Sequence, residues 1–311
     1  MLTVLGITFP IFALVLIGYL LVLRGVFKPA DMRIFGIYVT NVALPALLFK
    51  AASARPVGEI FNLPYMAAYM IGGLLTTTAA VLWFYARTDR EKRGIAIMGT
   101  TCPNSGFVGY PLLLILLPDL AGLVLAMNML VENVILIPLL LALMEMMRAG
   151  QHHPLVRVRK GVFGVFKRPF VIGLLLGLLA SLLDVQMPAP MMRVFDILAA
   201  SAAAISLIVI GGSLAGLSTK GKRALAFQIT LAKLLLHPAL TLLGLVALTA
   251  LGAGVTGDLR TALILSAAMP IFGTYIVFAQ EEGQEGVASI ALLMSTVGAF
   301  LTLNIALLML S

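Results

Sequence analysis

The sequence predicts an all-α polytopic membrane protein, and three observations carry that prediction. Of 311 residues, 61% are hydrophobic and only 11% are charged, where a soluble domain carries about 25% charged residues. The apolar residues fall in runs of about 20, enough to cross a hydrocarbon core of about 30 Å. The charges collect in short segments between the runs.

Ten spans are expected, at 2–23, 32–53, 63–86, 94–117, 120–147, 169–184, 189–217, 224–251, 259–280 and 287–310. The first has no charged leader and no small-residue cleavage site, so it reads as a retained helix. Span 2 holds Asn41 and Pro45 within an apolar run. Span 3 ends in Trp83 and Tyr85, the amphipathic rings that anchor a helix at the headgroup level. Span 4 reads "GTTCPNSGFVGYPLLLILLP" and is interrupted near its middle. Span 5 buries Glu132 and Asn133 twelve residues from its start. In span 7, "GGSLAGL" offers small residues for close helix packing. Span 8 holds Lys233 and His237 one helical turn apart, with Pro238 next. Span 9 is the second interrupted run, "SAAMPIFGTYIVFAQ".

The net charge of +8 resolves into a topology signal, not a nucleic-acid surface. Sixteen of the 21 basic residues lie in the connections 1–2, 3–4, 5–6 and 7–8. The positive-inside rule makes those loops cytoplasmic and sets both termini on the outer side. The longest, "RVRKGVFGVFKR", belongs to a basic linker, 148–168, that divides the chain into 1–147 and 169–311. The single cysteine, Cys102, excludes an internal disulfide. No nucleotide-binding loop, metal-ligand cluster or Ser–His–acid grouping stands out, so neither a cofactor nor an enzymatic activity is expected.

An odd number of helices per half gives the halves opposite orientation, and the fourth span of each is broken by Pro and Gly. Irregular backbone survives at membrane depth only where it is buried in protein or lines an aqueous cavity. Paired interrupted segments in corresponding positions point to the binding site of a transporter built from inverted repeats. Within them, Asn104 provides an amide suited to a carboxylate. Ser105, Gly109 and Pro111 accompany it from span 4, Pro270, Gly273, Thr274 and Tyr275 stand opposite in span 9, and Asn41 is the candidate from span 2. Ionisable groups inside spans are expensive and are functional candidates by default. Glu132 is the first choice for a proton-coupling carboxylate. Lys233 is expected to attract an anion, pair with Glu132 or anchor its domain. His237 is a proton-carrier candidate or a packed histidine.

The stretches "NVALPALLFKAAS", "PNSGFVGYPLL", "KLLLHPAL" and "AMPIFGTYIVFAQEEG" resemble, in that order, the auxin efflux carrier family, which includes bacterial members named for malonate or malate. The resemblance implies ten helices in two inverted five-helix repeats, with helices 4 and 9 interrupted and crossed, as in sodium/proton antiporters and bile-acid symporters. It implies a scaffold of helices 1, 2, 6 and 7, a moving domain of helices 3–5 and 8–10, and elevator-like transport of a small organic anion in a bacterial inner membrane. Asn104 and Pro111 match the plant motif "PNTLVMGIP". In span 9 the plant pattern "LPQGIVPFVFA" becomes "MPIFGTYIVFA": Pro270 is kept, Ile271 replaces the glutamine and Tyr275 stands at the second proline. Span 3 lacks the plant carriers' acid, which leaves Glu132 or no coupled proton. Proton or sodium are the expected coupling ions and a homodimer the expected assembly. A sodium-coupled bile-acid-like symporter and a non-transporting sensor are the competing readings.

Overall fold

In a computed structural model the described residues are 2–147, 164, 166–217 and 221–310. Most of the basic linker, with His152 and His153, and Lys220 of the 7–8 connection lie outside them. The described chain is helical. Helix α1 is Leu2–Leu23, and α2 (Pro29–Tyr38) runs through a π-helical turn, Val39–Ala43, into α3 (Leu44–Ser53). A single turn, α4 (Val57–Ile60), leads to α5 (Leu63–Arg87). Span 4 is α6 (Arg90–Thr101), a break, a π-turn at Ser105–Gly109 and α7 (Tyr110–Leu116). Span 5 is α8 (Pro118–Val131), a π-turn at Glu132–Leu136 and α9 (Ile137–Met147). Then come α10 (Pro169–Leu182), α11 (Ala189–Ala215), α12 (Arg223–Leu231), a π-turn at Ala232–Leu236 and α13 (His237–Ala250). Span 9 is α14 (Gly257–Ala268), a break and α15 (Tyr275–Glu281), and α16 (Glu285–Leu310) closes the chain.

Among the described residues, seven helical segments are long and apolar enough to cross a bilayer, and they correspond to spans 1, 2, 3, 5, 7, 8 and 10. Spans 4 and 9 are interrupted, and span 6 is a helix of only 14 residues. The outward faces are apolar. On α16, Val297, Leu301, Ile305 and Leu308 are exposed at helical spacing, as a lipid-facing stripe requires.

The chain divides into two compact units. One holds the described residues of Met1–Leu63, Ser105–Met129 and Gly164–Gly216; the other holds those of Pro64–Asn104, Leu130–Phe163 and Leu217–Ser311. In the first, α1 lies against α11 because Gly211 and Gly18 present no side chain: a Cβ on Gly211 would strike the Val15 carbonyl, and one on Gly18 the Ile208 carbonyl. Gly173 and Gly177 let α10 approach α3 in the same way, at Pro45 and Phe49. Lys50 pairs with Asp196 at 2.6 Å, and Tyr38 Oη meets Ser201 Oγ at 3.0 Å.

In the second unit, Gly72 faces Thr241 of α13, Gly73 faces Leu136, and Gly94 of α6 faces Met144 of α9. The close packing read from "GGSLAGL" in span 7 is therefore present, and it recurs throughout the fold.

Candidate functional site

The site is built where α6 and α14, both of the second unit, end. α6 ends at Thr101, and Cys102 is extended (φ −87, ψ 114) as residues preceding proline prefer. α14 ends at Ala268, and Met269 before Pro270 is extended likewise (φ −61, ψ 150). Each break exposes backbone groups that lipid cannot satisfy, and the two breaks satisfy each other. Asn104 N–H donates to Pro270 O (2.9 Å) and Phe272 N–H donates to Cys102 O (3.3 Å), an antiparallel bridge of Pro103 with Ile271. Ile271 N–H turns the other way, to Ser295 Oγ of α16 at 3.3 Å.

Lys233 is fully buried beside this bridge. Its Nζ donates to Ala267 O, 2.7 Å away in the last turn of α14, where a cation complements the helix dipole. The same Nζ lies 2.9 Å from His237 Nδ1, one turn along. With Lys233 protonated, Nδ1 accepts and the imidazole hydrogen sits on Nε2, which is buried and has no partner among the described residues.

Glu132, 4% exposed, accepts a 2.6 Å hydrogen bond from Tyr69 Oη. Tyr65 stacks on Tyr69 with its hydroxyl 3.5 Å from Ser266 Oγ, and Thr77 meets Thr101 at 3.2 Å. The structure thus joins Glu132 to a phenol of span 3, while Lys233 is held by Ala267 and His237. The residues the sequence reading passed over are Tyr65, Tyr69, Ser266 and Ser295. The first two had a signal: Tyr65, Tyr69, Gly72, Gly73, Thr76 and Thr77 repeat at helical spacing and form the buried face of α5.

The other expected residues are placed as follows. Asn104 and Pro270 are buried and joined through their backbones, whereas Gly273 and Thr274 are exposed. Tyr275 is fully buried with its phenol against Gly99, so it serves the core of the unit. Ser105, Gly109 and Pro111 are buried in the first unit, where a Cβ on the neighbouring Gly106 would meet Leu44 and Met129. Asn41, also in the first unit, is exposed, and its amide bonds its own helix at Ile37 O (2.8 Å) and Thr40 Oγ1 (3.1 Å). A small, half-open surface pocket lies among Arg90, Gly94, Met144, Met147 and Glu282.

The family model for membrane transport proteins matches residues 3–307. The chain belongs to that family. This is the family of the auxin efflux carriers, which the four stretches resemble. A protein of Rhizobium meliloti (strain 1021) named "Putative malonate transporter" is 28% identical over 284 residues, 89% of this chain and 86% of its own. The "Uncharacterized transporter YfdV" of Escherichia coli (strain K12) is 26% identical over 76% of each chain. An "Uncharacterized transporter" of Methanothermobacter thermautotrophicus is 34% identical over 105 residues, about a third of each chain. The family and these relatives are transporters, not enzymes, and the chain is an integral membrane transporter by membership and by its apolar helices.

Proposed function

We propose that this family member is a secondary transporter of a small organic anion, a short dicarboxylate such as malonate, which it carries past the meeting of its two broken helices. The observation that carries the reading is the Asn104–Pro270 hydrogen bond of 2.9 Å, which puts the Asn104 backbone at the seam between the two interruptions. An amide there recognises a carboxylate without the cost of a buried fixed charge. The name of the Rhizobium relative supports malonate.

In this reading the ten spans form two inverted five-helix repeats and transport is elevator-like. The moving body is the unit carrying Asn104, Glu132, Lys233 and His237, and the other unit, which holds α1–α4, α7, most of α8, α10 and α11, is the scaffold. The basic loops face the cytoplasm of a bacterial inner membrane, both termini face outward, and the scaffold forms a homodimer. The Tyr69–Glu132 and Lys233–His237 pairs hold the groups through which a proton couples. Two cations 2.9 Å apart repel by about 6 kcal/mol even at an effective dielectric of 20. The Lys233–His237 pair therefore carries at most one positive charge at a time.

The test is uptake of labelled malonate, and of malate and other short carboxylates, into proteoliposomes with and without a pH or sodium gradient. Saturable uptake of one anion that is lost in Asn104→Ala, with the variant folded, is expected. Uptake with unchanged affinity in Asn104→Ala removes Asn104 from the site. Binding without flux favours a sensor.

A further inference from the structure

We infer that the end of α5, the start of α6 and the facing turn of α12 form a binding site for the phosphate headgroup of an anionic phospholipid. Between Arg87 and Arg93 the chain carries four basic residues and two acids, and Lys222 and Arg223 join them from the other side. Asp89 is already committed, to Lys92 Nζ at 2.7 Å and Lys222 Nζ at 3.1 Å, which holds its carboxyl down at about 2. Arg87 and Arg93 are different. Among the described residues neither guanidinium is paired with a carboxylate, and each is laid on an aromatic ring instead. Arg87 Cζ is 3.9 Å from the Trp83 ring centroid, and Arg93 Cζ is 4.5 Å from that of Tyr85.

Both rings are themselves exposed, Trp83 by 48% and Tyr85 by 64%. The Trp83 indole is fixed by its 3.1 Å hydrogen bond to Gln228 Oε1 of α12, and Arg93 by its 2.9 Å bond from Nε to Thr88 O. The arrangement is built rather than incidental: two cations are stacked and partly immobilised, and no carboxylate among the described residues pairs with either. Trp and Tyr at the end of a membrane span lie at headgroup depth, where the abundant anion is lipid phosphate. A guanidinium binds phosphate with two parallel N–H···O bonds, and a stacked one has less rotamer freedom left to lose. Asp89, already neutralised by its two lysines, adds little repulsion. The inference needs only the integral-membrane character of the chain, not its substrate.

Trp83 is the single tryptophan of the chain, so its fluorescence reports this site alone. The protein is reconstituted in phosphatidylcholine bilayers containing brominated phosphatidylglycerol or, at equal mole fraction, brominated phosphatidylcholine. Stronger quenching by the anionic lipid is expected, with an enrichment of about fivefold for each arginine and a fall at high salt. Arg87→Gln with Arg93→Gln should remove the excess, whereas Arg260→Gln, outside the cluster, should keep it. Equal quenching by the two lipids in the wild type overturns the inference without any variant. An excess that survives the double substitution also overturns it. Soluble glycerol phosphate that abolishes the excess at millimolar concentration would show a site for free phosphate rather than lipid.

Discussion

Replacing Tyr275 by phenylalanine tests whether this residue is a core element or a substrate ligand. The ring is fully buried and its hydroxyl has no partner among the described residues. A buried hydroxyl without a hydrogen bond costs about 1–3 kcal/mol by protein mutational data. Its removal recovers part of that cost and gives up only a few contacts, so Tyr275→Phe should stabilise the protein by about 1 kcal/mol. Gly99→Ala probes the same contact from the other side. Its Cβ would lie 2.7 Å from Tyr275 Oη and 2.8 Å from both Cζ and Ile229 Cγ2. Overpacking of that kind costs about 1–3 kcal/mol. With the hydroxyl gone the closest clash is relieved, so the two substitutions should be non-additive by about 1 kcal/mol. Denaturant-induced unfolding of the detergent-solubilised protein, run as a four-cornered cycle, measures both. If Tyr275→Phe destabilises by more than about 1 kcal/mol, the phenol has a partner and the argument fails. Loss of transport at unchanged stability would return Tyr275 to the substrate site.

Tyr69→Phe keeps the stacking on Tyr65 but removes the donor to Glu132, and should cost about 0.5–1.5 kcal/mol, the net range for an intramolecular hydrogen bond; thermal unfolding reads it. Gly211→Ala drives a methyl group into the Val15 carbonyl and should separate α1 from α11, costing upwards of about 3 kcal/mol and reducing folded yield. Asp89 has its pKa lowered to about 2, chiefly by Lys92 and then by Lys222. Its contribution to stability is therefore complete above the ordinary value of 3.8 and disappears as pH falls through about 2. The stability difference between wild type and Asp89→Asn should accordingly be flat from pH 5 to 8 and vanish in that acid range.

Much of the fold was legible because lipid makes simple demands. Apolar runs of span length mark the helices, and Pro103 and Pro270 mark the two breaks: a proline cannot continue the ladder and forces its predecessor out of the helical region. What the runs do not carry is which side chains meet. Glu132 was visible as an expensive acid, but its phenol donor lies 63 residues away on a span noticed for its terminal aromatic anchors and its lack of an acid. Lys233 and His237 were visible as a pair at i and i+4, yet the carbonyl that seats the lysine exists only because α14 stops at Ala268. Asn41 was legible as a polar residue in an apolar span, but not the bonds that hold its amide. Beside Thr40, and one turn after Ile37, its amide has nearer partners than any cavity.

The π-turns tie these residues together. Each of the four, at Val39–Ala43, Ser105–Gly109, Glu132–Leu136 and Ala232–Leu236, is followed two residues later by a proline: Pro45, Pro111, Pro138 and Pro238. A proline within a helix lacks the donor for the carbonyl four residues back and its ring crowds that carbonyl. Widening the preceding turn relieves the crowding. Leu44, Ile137 and His237 reach back five residues, to Val39, Glu132 and Ala232, instead of four. The carbonyls of Asn133 and Lys233, with those of Val134 and Leu234 after them, thereby lose their ordinary α-helical donors. The inserted residue also rotates the side chains before it relative to those after it. Asn41, Ser105, Glu132, Asn133 and Lys233 all sit within these widened turns. A polar residue four to six positions ahead of a mid-span proline is thus the sequence trace of a place where the helix opens, and π-turns favour functional sites for that reason. The expensive side chains and the interrupted backbone therefore have one cause, and each makes the other tolerable inside the membrane.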